Sequence, residues 1–543
     1  MLPKVVVLGV DGVSYQFLLD LISQGQMPNL AKAMEKGHMA PLTSTIPPIT
    51  PAAFSASYTG KNPDRMNVYG FFHRKLGTYD MVPTSAADRS KPDLWDVLHH
   101  WGKRPLVIGM PFTYPIRVAE DFDGLIVSGF TGAGGRLIDV YPAELRSLVL
   151  DELGYTIVKT KVYKPHVFAD SISSRFQVAA RLLEKGSYDC LLLGFGQLDS
   201  AHHRFHAWNE ALLVDLYRHF DRELGAFIKS FPPETLFLLY SDHGHKVYKK
   251  AFNVIAWIVQ NGYLSLREAG EVQARWSNRA TNLLTRAAML QLRRLYAYLY
   301  RRGLINAIKQ FVHPSIIPES FRFGKVSSTE IFDYGRSRVY SLNACANFGF
   351  LMANRIGRDP LGTVPDPEVR ALGEQLREGL LAFKDPSTGQ AVIKNFWQAH
   401  ELYPAEQADP YCDYIVEAHE DYIVVDWCYS PEELDRLVMG YLIAYHEMTG
   451  VVAYWGGGLA GVEPVDAMNL VDICPTILHA MGLPIPNDLD GRPAMLTQEM
   501  SSRHVETFDP TAEMEFGPAS SEPVYTQEEE EQIKDRLRDL GYL

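Results

Sequence analysis

The chain is poor in cysteine, in positive charge and in long apolar runs, and each of these absences removes a class of protein. Its five cysteines are scattered over 543 residues without a C-x-x-C pair, which predicts reduced core thiols rather than a disulfide framework. The net charge of -13 argues against a nucleic-acid partner. No apolar run approaches the roughly 18 residues of a membrane span, and the first strand begins too early for a signal peptide. We therefore expect a cytoplasmic globular protein.

The chain does contain three apolar runs that each end in a carboxylate or an imidazole. They are VVVLGVDG, CLLLGFGQLDSAHH and LFLLYSDHGH, beginning at Val5, Cys190 and Leu236. Unbroken apolar runs of this length predict strands buried on both faces, as in a parallel sheet. The carboxyl ends of such strands line one crevice. We therefore expect their polar ends to meet there; these are Asp11, Asp199, His203, Asp242 and His243.

Helical and strand patterns alternate between these runs, which predicts an α/β fold with a doubly wound, mostly parallel sheet flanked by helices. Helices are predicted at residues 14–37, 168–184 and 209–229, and from residue 473. Shorter strands are predicted at residues 38–42, 105–110, 125–129, 422–425 and 451–454.

Residues 272–318 depart from this pattern, because they are rich in arginine and contain no Asp or Glu, with leucines and isoleucines at helical spacing. We divide the chain into a first core part, a basic helical insertion, a second core part and an acidic tail, at residues 1–265, 266–335, 336–500 and 501–543. The insertion fits a helical hairpin packed on the core, a lid that attracts an anionic substrate, or a peripheral membrane contact. The sequence does not choose among these three.

The polar strand ends suit divalent metal ions. Asp199 and His203 are spaced one helical turn apart, so both can bind one ion. Asp242 and His243 are adjacent and can serve two ions, which in two-metal sites lie about 3.5–4 Å apart and clamp the oxygens of a phosphoryl displacement. Thr50 lies in a proline-rich loop at a predicted helix start, where anions are favoured, and its hydroxyl is a candidate nucleophile.

Each feature taken singly has a plainer explanation. Asp11 fits a helix cap, His203 fits a surface histidine, and Thr50 fits a rigid loop residue. The joint occurrence of all of them at predicted strand ends favours a site.

The ordered set of motifs resembles the alkaline phosphatase superfamily, specifically its type I phosphodiesterase and nucleotide pyrophosphatase branch. The segments that carry the resemblance are Val10-Asp11-Gly12, Met27-Pro28-Asn29-Leu30, Pro47-Pro48-Ile49-Thr50, Tyr58-Thr59-Gly60, Asp199-x-x-x-His203, Ser241-Asp242-His243-Gly244, Asp472-x-x-Pro475-Thr476-Ile477-Leu478 and Asp490-Gly491-Arg492. The resemblance implies an alkaline-phosphatase-like fold and a metal-dependent hydrolase of phosphoric esters. It also implies a phospho-threonine intermediate at Thr50.

The resemblance further implies the ligands of two divalent ions, expected to be zinc, with manganese as the other candidate. One ion is expected to take Asp11, Thr50, Asp242 and His243, and the other Asp199, His203 and a late histidine. His446 precedes a glycine and a predicted strand, as the family's late histidine does, and is assigned to this position. The alternatives are His400, His419 and His479.

Two departures from the family patterns bear on the substrate. The asparagine that nucleotide pyrophosphatases carry after the nucleophile aligns near Phe71, which argues against a nucleotide, and Arg74 is the candidate to bind phosphate instead. Thr50 is not followed by the x-Pro-x-Arg pattern of sulfatases, which disfavours sulfate esters.

We therefore expect a phosphodiesterase acting on a small-molecule phosphate ester. The alternatives are a phosphomonoesterase, a phosphomutase or phosphotransferase of the same superfamily, and a non-catalytic binding protein on the same scaffold. The sequence leaves the physiological substrate and the oligomeric state open.

Overall fold

The structure, a computed structural model, describes residues 2–129, 138–156, 165–207, 209–267, 331–403, 411–426, 434–459, 462–514 and 524–540. The chain divides into two units. The first consists of Met1–His73, Val82–Lys246 and Ala444–Leu543, and the second of Arg74–Met81 and Val247–Ile443. Nearly all of the predicted basic insertion lies outside the described residues, and its role as a lid or membrane contact stays a prediction.

The secondary structure of the described residues is as follows. The strands are β1 (Val5–Val10), β2 (His38–Thr43), β3 (Phe72–Arg74), β4 (Met81–Pro83), β5 (Pro105–Ile108), β6 (Leu125–Val127), β7 (Val140–Tyr141), β8 (Cys190–Phe195), β9 (Leu236–Tyr240), β10 (Gly244–Asn253), β11 (Val339–Cys345), β12 (Phe348–Ala353), β13 (Ile393–Gln398), β14 (Tyr414–Ala418), β15 (Tyr422–Val425), β16 (Val438–Glu447), β17 (Thr449–Trp455), β18 (Met468–Asn469), β19 (Ile485–Pro486) and β20 (Thr507–Phe508). The α-helices are α1 (Tyr15–Ser23), α2 (Pro28–Met34), α3 (Thr50–Thr59), α4 (Pro63–Met66), α5 (Leu94–His100), α6 (Pro165–Lys185), α7 (Gln197–Ala201), α8 (Glu210–Ile228), α9 (Val254–Gln260), α10 (Asp366–Ala382), α11 (Ala399–Leu402), α12 (Ile473–Ala480), α13 (Gln498–Ser502), α14 (Pro510–Glu513) and α15 (Gln527–Leu540).

A nine-stranded mixed sheet forms the centre of the first unit, in the order β18-β2-β17-β9-β1-β8-β5-β6-β7. Its central strands β9, β1, β8, β5 and β6 run parallel to one another. Strand β17 is antiparallel to both of its neighbours, β2 and β9. The predicted α/β fold class is confirmed, with a parallel centre inside a mixed sheet.

Helices cover both faces of this sheet. Alternate residues of β1 point to opposite faces: Val6 and Leu8 join a core that includes Phe176 of α6 and Phe220 of α8. On the other face Val5 and Val7 join a core that includes residues of α3, α5 and α12. Because both faces are buried, the strands carry unbroken apolar runs rather than alternating ones.

The predicted single helix over residues 14–37 is wrong, because the structure has two helices there. Helix α1 ends at Ser23, Gly25 has a positive φ of 70°, and α2 begins at Pro28. Proline has no N–H to continue the earlier helix, but it is well tolerated in the first turn of a new one.

The second unit contains a four-stranded antiparallel sheet in the order β11-β12-β14-β13, against which α10 packs. A three-stranded sheet, β15-β10-β16, is also present. Among the described residues, no helix is long and apolar enough to cross a membrane.

Candidate metal centre

The three predicted strand ends meet at the carboxyl ends of the central parallel strands of the large sheet. Strand β1 lies between β8 and β9 and runs parallel to both, with Val10 opposite Phe195 and Gly9 opposite Tyr240. Asp11 therefore follows β1 at the same edge where Asp242 follows β9 and where α7, which carries Asp199, follows β8. All three carboxylates are buried, at 4% exposure or less.

Two glycines next to the site residues allow other segments of the chain to approach closely. Gly12 has a φ of +73°, and a Cβ placed on it would lie 2.9 Å from the Cβ of Asp199. A Cβ on Gly244 would lie 2.3 Å from the carbonyl oxygen of Thr449. The motifs Asp11-Gly12 and His243-Gly244 thus combine a polar side chain with a residue whose lack of a Cβ leaves room for a neighbouring segment.

Thr50 is the first residue of α3, with Ile49 extended before it and Pro51 in the first helical turn. The entire helix is buried, so its N-terminus is held rigidly. The hydroxyl Oγ1 of Thr50 lies 3.5 Å from Asp11 Oδ1 and 3.5 Å from His243 Nε2. The candidate nucleophile therefore lies beside two of the predicted ion ligands, at a helix end that favours anions.

We call Asp11, Thr50, Asp242 and His243 the first donor group. The Nε2 atom of His243 lies 3.5 Å from Asp11 Oδ1 and 3.3 Å from Asp242 Oδ2. These separations match the edges of a tetrahedron around an ion with bonds of about 2.0–2.2 Å, which are about 3.3–3.6 Å long. The side chains predicted to share one ion are thus spaced as ligands.

Two further details of the first donor group fit a cation. The ring N–H of His243 at Nδ1 donates to the carbonyl of Gly244 at 3.1 Å, which leaves Nε2 with a lone pair. Asp242 Oδ2 is buried and has no hydrogen-bond partner. A lone pair that faces an unpartnered carboxylate oxygen is unfavourable unless a cation lies between them.

We call Asp199, His203 and His446 the second donor group. Asp199 Oδ1 lies 3.4 Å from the Nε2 atoms of His203 and His446, and these two nitrogens are 3.2 Å apart. The Nδ1–H of His446 donates to the carbonyl of Pro48 at 2.8 Å, so its Nε2 also carries a lone pair. Three protein ligands leave a fourth position open, as in catalytic zinc sites.

The two donor groups are neighbours, because the rings of His243 and His446 stack with centroids 3.8 Å apart and an interplanar angle of 24°. The predicted alternatives to His446 lie elsewhere. His479 is in α12 and bonds the carbonyl of Met500, while His400 and His419 are in the second unit. None of the three belongs to a cluster of metal-ligand type among the described residues.

His245, which is not predicted from the sequence, also belongs to this centre, because its Nε2 lies 3.0 Å from Asp199 Oδ1. The imidazole is fully buried and groups with Asp199, His203 and His446. Its signal in the sequence is the spacing from His243, because residues two apart in an extended segment point to the same side.

Burial and mutual repulsion set the charges of this centre. Burial, followed by the charges of Asp242 and Asp199, raises the pKa of Asp11 well above its usual value, and burial and Asp199 likewise raise the pKa of Asp242. Burial lowers the pKa values of His243 and His446. The imidazoles of His243 and His446 are therefore neutral and able to bind an ion, while Asp11 and Asp242 need a cation to ionise fully.

The pKa of Asp199 moves the other way. Burial acts to raise it, but the nearby imidazoles of His203, His245 and His446 outweigh burial and lower it. Carboxylate oxygens and neutral imidazoles are ligands that suit zinc and manganese.

Arg74, the predicted substrate-binding residue, belongs to the second unit. Its Nη1 donates to Asp359 Oδ1 at 2.9 Å, and its side chain is 5% exposed. Asp359 thus compensates the charge of Arg74. The contact of Arg74 with substrate stays a prediction.

Comparisons with known proteins show the family and the fold of the chain. Residues 5–359 match the family model for type I phosphodiesterase / nucleotide pyrophosphatase. Phosphonoacetate hydrolase from Sinorhizobium meliloti 1021, solved in complex with phosphonoformate, superposes with a TM-score of 0.54 at 14% identity, covering 88% of this chain and 96% of that chain.

A second structure with the same fold is murine ectonucleotide pyrophosphatase / phosphodiesterase 5, solved as an inactive variant in complex with AMP. It superposes with a TM-score of 0.50 at 10% identity and covers 91% of this chain and 97% of that chain. No curated protein matches the chain. At these identities the solved structures establish the fold.

Proposed function

Since the chain belongs to the type I phosphodiesterase / nucleotide pyrophosphatase family and is a phosphoester hydrolase, we propose that it cleaves small-molecule phosphoric diesters at a two-metal site through a phosphorylated Thr50. The observation that carries the proposal is the position of the Thr50 hydroxyl, which lies 3.5 Å from both Asp11 and His243 of the first donor group. A hydroxyl placed among metal-ligand side chains at a helix N-terminus has the surroundings that a nucleophile toward phosphorus needs.

The first donor group would hold one ion and the second donor group the other, with zinc as the proposed metal and manganese as the second candidate. Divalent ions in such a site lower the pKa of bound hydroxyls and neutralise the phosphoryl oxygens. The orphaned Oδ2 of Asp242 and the lone pairs on His243 and His446 supply donors for them.

The protein's own part in the reaction begins with Thr50. Its Oγ1 attacks phosphorus and displaces an alcohol, which leaves a phosphate ester on the Thr50 side chain. Helix α3 fixes this oxygen, because all ten of its residues are buried, and its N-terminal dipole favours the negatively charged phosphoryl group. Water then attacks phosphorus on the side opposite Oγ1, which breaks the bond to Thr50, restores its hydroxyl and releases a phosphate monoester. Two successive inversions retain the configuration at phosphorus overall.

The choice between a diester and a monoester is tested by the hydrolysis rates of bis-(p-nitrophenyl) phosphate and p-nitrophenyl phosphate, measured on zinc-reconstituted protein. We expect the diester to be cleaved faster. A preference for the monoester would overturn the diesterase proposal in favour of a phosphatase or mutase, and an added alcohol acceptor that takes up the phosphoryl group would identify a phosphotransferase.

A further inference from the structure

We propose that His245 is a positioning residue that donates a hydrogen bond from Nε2 to Asp199 and holds this carboxylate in place for the ion of the second donor group. The inference rests on the proposed function only in requiring that the second donor group binds an ion. It assigns to His245 a role different from those of His203 and His446, although all three rings approach the same carboxylate oxygen.

The partners of the Nδ1 atoms separate His245 from the ligand histidines. A neutral imidazole carries one proton, on either Nδ1 or Nε2. His243 and His446 each place it on Nδ1, where a backbone carbonyl accepts it at 3.1 Å and 2.8 Å. Their Nε2 atoms are therefore free to bind an ion.

The Nδ1 of His245 is buried and has no hydrogen-bond partner. A proton on this Nδ1 would leave a buried donor unsatisfied and would also turn the Nε2 lone pair toward the oxygen of Asp199. A proton on Nε2 avoids both costs, because it is donated to Asp199 Oδ1 at 3.0 Å. The geometry thus assigns the proton to Nε2, which excludes this nitrogen as an ion ligand.

The distances agree with this assignment. The 3.0 Å between His245 Nε2 and Asp199 Oδ1 is a normal N–H···O separation. The other two imidazole nitrogens lie 3.4 Å from the same oxygen, as ligands around an ion do. A hydrogen bond to a ligating carboxylate fixes its orientation and commonly contributes a factor of about 10–100 in metal affinity.

His245 is itself held through both its backbone and its ring. Ser14 Oγ accepts from the backbone N–H of His245 at 2.8 Å and lies 2.6 Å from its carbonyl oxygen. The ring stacks on His202 with centroids 4.9 Å apart and an interplanar angle of 15°, and His202 Nε2 lies 2.8 Å from the hydroxyl of Tyr217. A ring held this firmly can set the position of Asp199.

A separate ion bound by His202, His206 and His245 does not fit this arrangement. One ring nitrogen of each lies within 4.8 Å of the others, but an imidazole lone pair lies in the plane of its ring. The rings of His202 and His245 are stacked and nearly parallel, so their lone pairs do not point at a common position.

The test compares the zinc affinities of His245→Gln and His245→Leu with that of the wild type, by competition with a chromophoric chelator. Glutamine can place its Nε2–H near the position of the imidazole Nε2–H, whereas leucine has no donor. We expect His245→Leu to lose about 10–100-fold in affinity for one of two zinc ions, and His245→Gln to stay within a few-fold of wild type. His206→Gln, which replaces a nearby imidazole that approaches His202, is the matched control and should bind zinc normally.

Equal loss of one zinc ion in the Gln and Leu variants would overturn the inference in favour of a direct ligand. Unchanged affinity in His245→Leu would overturn it in favour of a purely structural role. Since the leucine variant could fail to fold, histidine tautomers are also read by ¹⁵N NMR on zinc-loaded wild-type protein. The inference requires protonated Nε2 on His245, with protonated Nδ1 on His243 and His446, and a protonated Nδ1 on His245 would contradict it.

These readouts are independent of turnover. Zinc-loaded protein with a protonated Nε2 on His245 but no hydrolysis of any phosphate ester would refute the proposed function and leave the role of His245 intact. Normal zinc affinity in an active His245→Leu enzyme would refute the role of His245 and leave the proposed function intact.

Discussion

The metal centre of the first unit and an ion-pair cluster in the second unit are both buried and rich in carboxylates, but their partners differ. In the second unit Asp359 accepts hydrogen bonds from Arg74, Arg358 and Tyr340, and Arg358 also bonds Asp413. In the first unit, among the described residues, the ion pairs of Asp11 and Asp242 involve only His243, whose pKa is lowered by burial.

The charges of the second-unit cluster are compensated within the chain, whereas those of the metal centre are not. The guanidinium groups in the second unit compensate buried carboxylates within the chain, which is the requirement for stable burial of charge. The metal centre gathers carboxylates and neutral imidazoles, which repel one another or leave lone pairs unmatched until cations bind. We therefore interpret the first cluster as functional and the second as structural.

The largest expected effect is that of Thr50→Ala on turnover. Removal of the nucleophile should lower kcat by about 10³-fold or more, while the fold is retained because Thr50 contributes only a hydroxyl and a methyl group to the helix start. Steady-state hydrolysis of bis-(p-nitrophenyl) phosphate and circular dichroism measure both quantities. The control is Thr59→Ala, which removes a buried threonine of the same helix that bonds Ser55. Comparable losses in the two variants would contradict the assignment of Thr50.

Asp359→Asn should break the second cluster without affecting the first. Loss of this carboxylate removes the buried ion pairs that Asp359 makes with Arg74 and Arg358, and we expect a loss of about 3–5 kcal/mol in the free energy of unfolding. Zinc content of the folded variant should equal that of the wild type. Denaturant unfolding and elemental analysis provide the two numbers, and loss of zinc at normal stability would reverse our interpretation of this cluster.

In the metal-free protein, Asp242→Asn should raise the free energy of unfolding, whereas Asp359→Asn should lower it. The pKa of Asp242 is raised in the folded chain, so its contribution to stability is complete below the unfolded pKa and is lost as the pH rises through the folded pKa. Asparagine does not titrate. In the presence of EDTA the variant should be more stable than the wild type at neutral pH, and this difference should shrink toward pH 4, near the unfolded value.

With zinc present the order should reverse, because an ion that binds only the folded wild type stabilises it. Denaturant unfolding at several pH values, with EDTA or zinc, checks both halves of this prediction. A metal-free variant that is less stable than the wild type at pH 7 would show that Asp242 is already compensated within the chain.

The smallest expected effect is that of Arg74→Lys. Lysine keeps the charge but cannot reproduce the forked guanidinium geometry, so a loss of about 1 kcal/mol in stability is expected. The substrate-binding role predicted from the sequence additionally requires a higher KM for the diester. An unchanged KM would contradict the substrate-binding role of Arg74.

The sequence predicts the centre of the fold well because burial on both faces leaves a strong local signal. The runs that form β1, β8 and β9 are apolar throughout and end in the side chains of the metal centre. The antiparallel position of β17 between β2 and β9 has no local signal, because it depends on pairing between distant segments. The same holds for the short strands β11 to β14 of the second unit.

The errors in the sequence analysis also have physical reasons. The single helix predicted over residues 14–37 ignored Pro28, which marks the start of a new helix. His446 was found only through the resemblance, because it lies 243 positions from His203. His245 was missed because its contact with Asp199 requires the extended conformation after β9 that carries it to the same side as His243.

The central claim, that the two Asp and His groups are a two-ion site for phosphoester hydrolysis, is tested most directly by zinc titration of chelator-treated protein. Bound zinc per chain and hydrolysis of bis-(p-nitrophenyl) phosphate are followed together. We predict that two ions bind and that hydrolysis returns in full only with the second. Full activity of the metal-free protein, or the absence of zinc binding, would contradict the account.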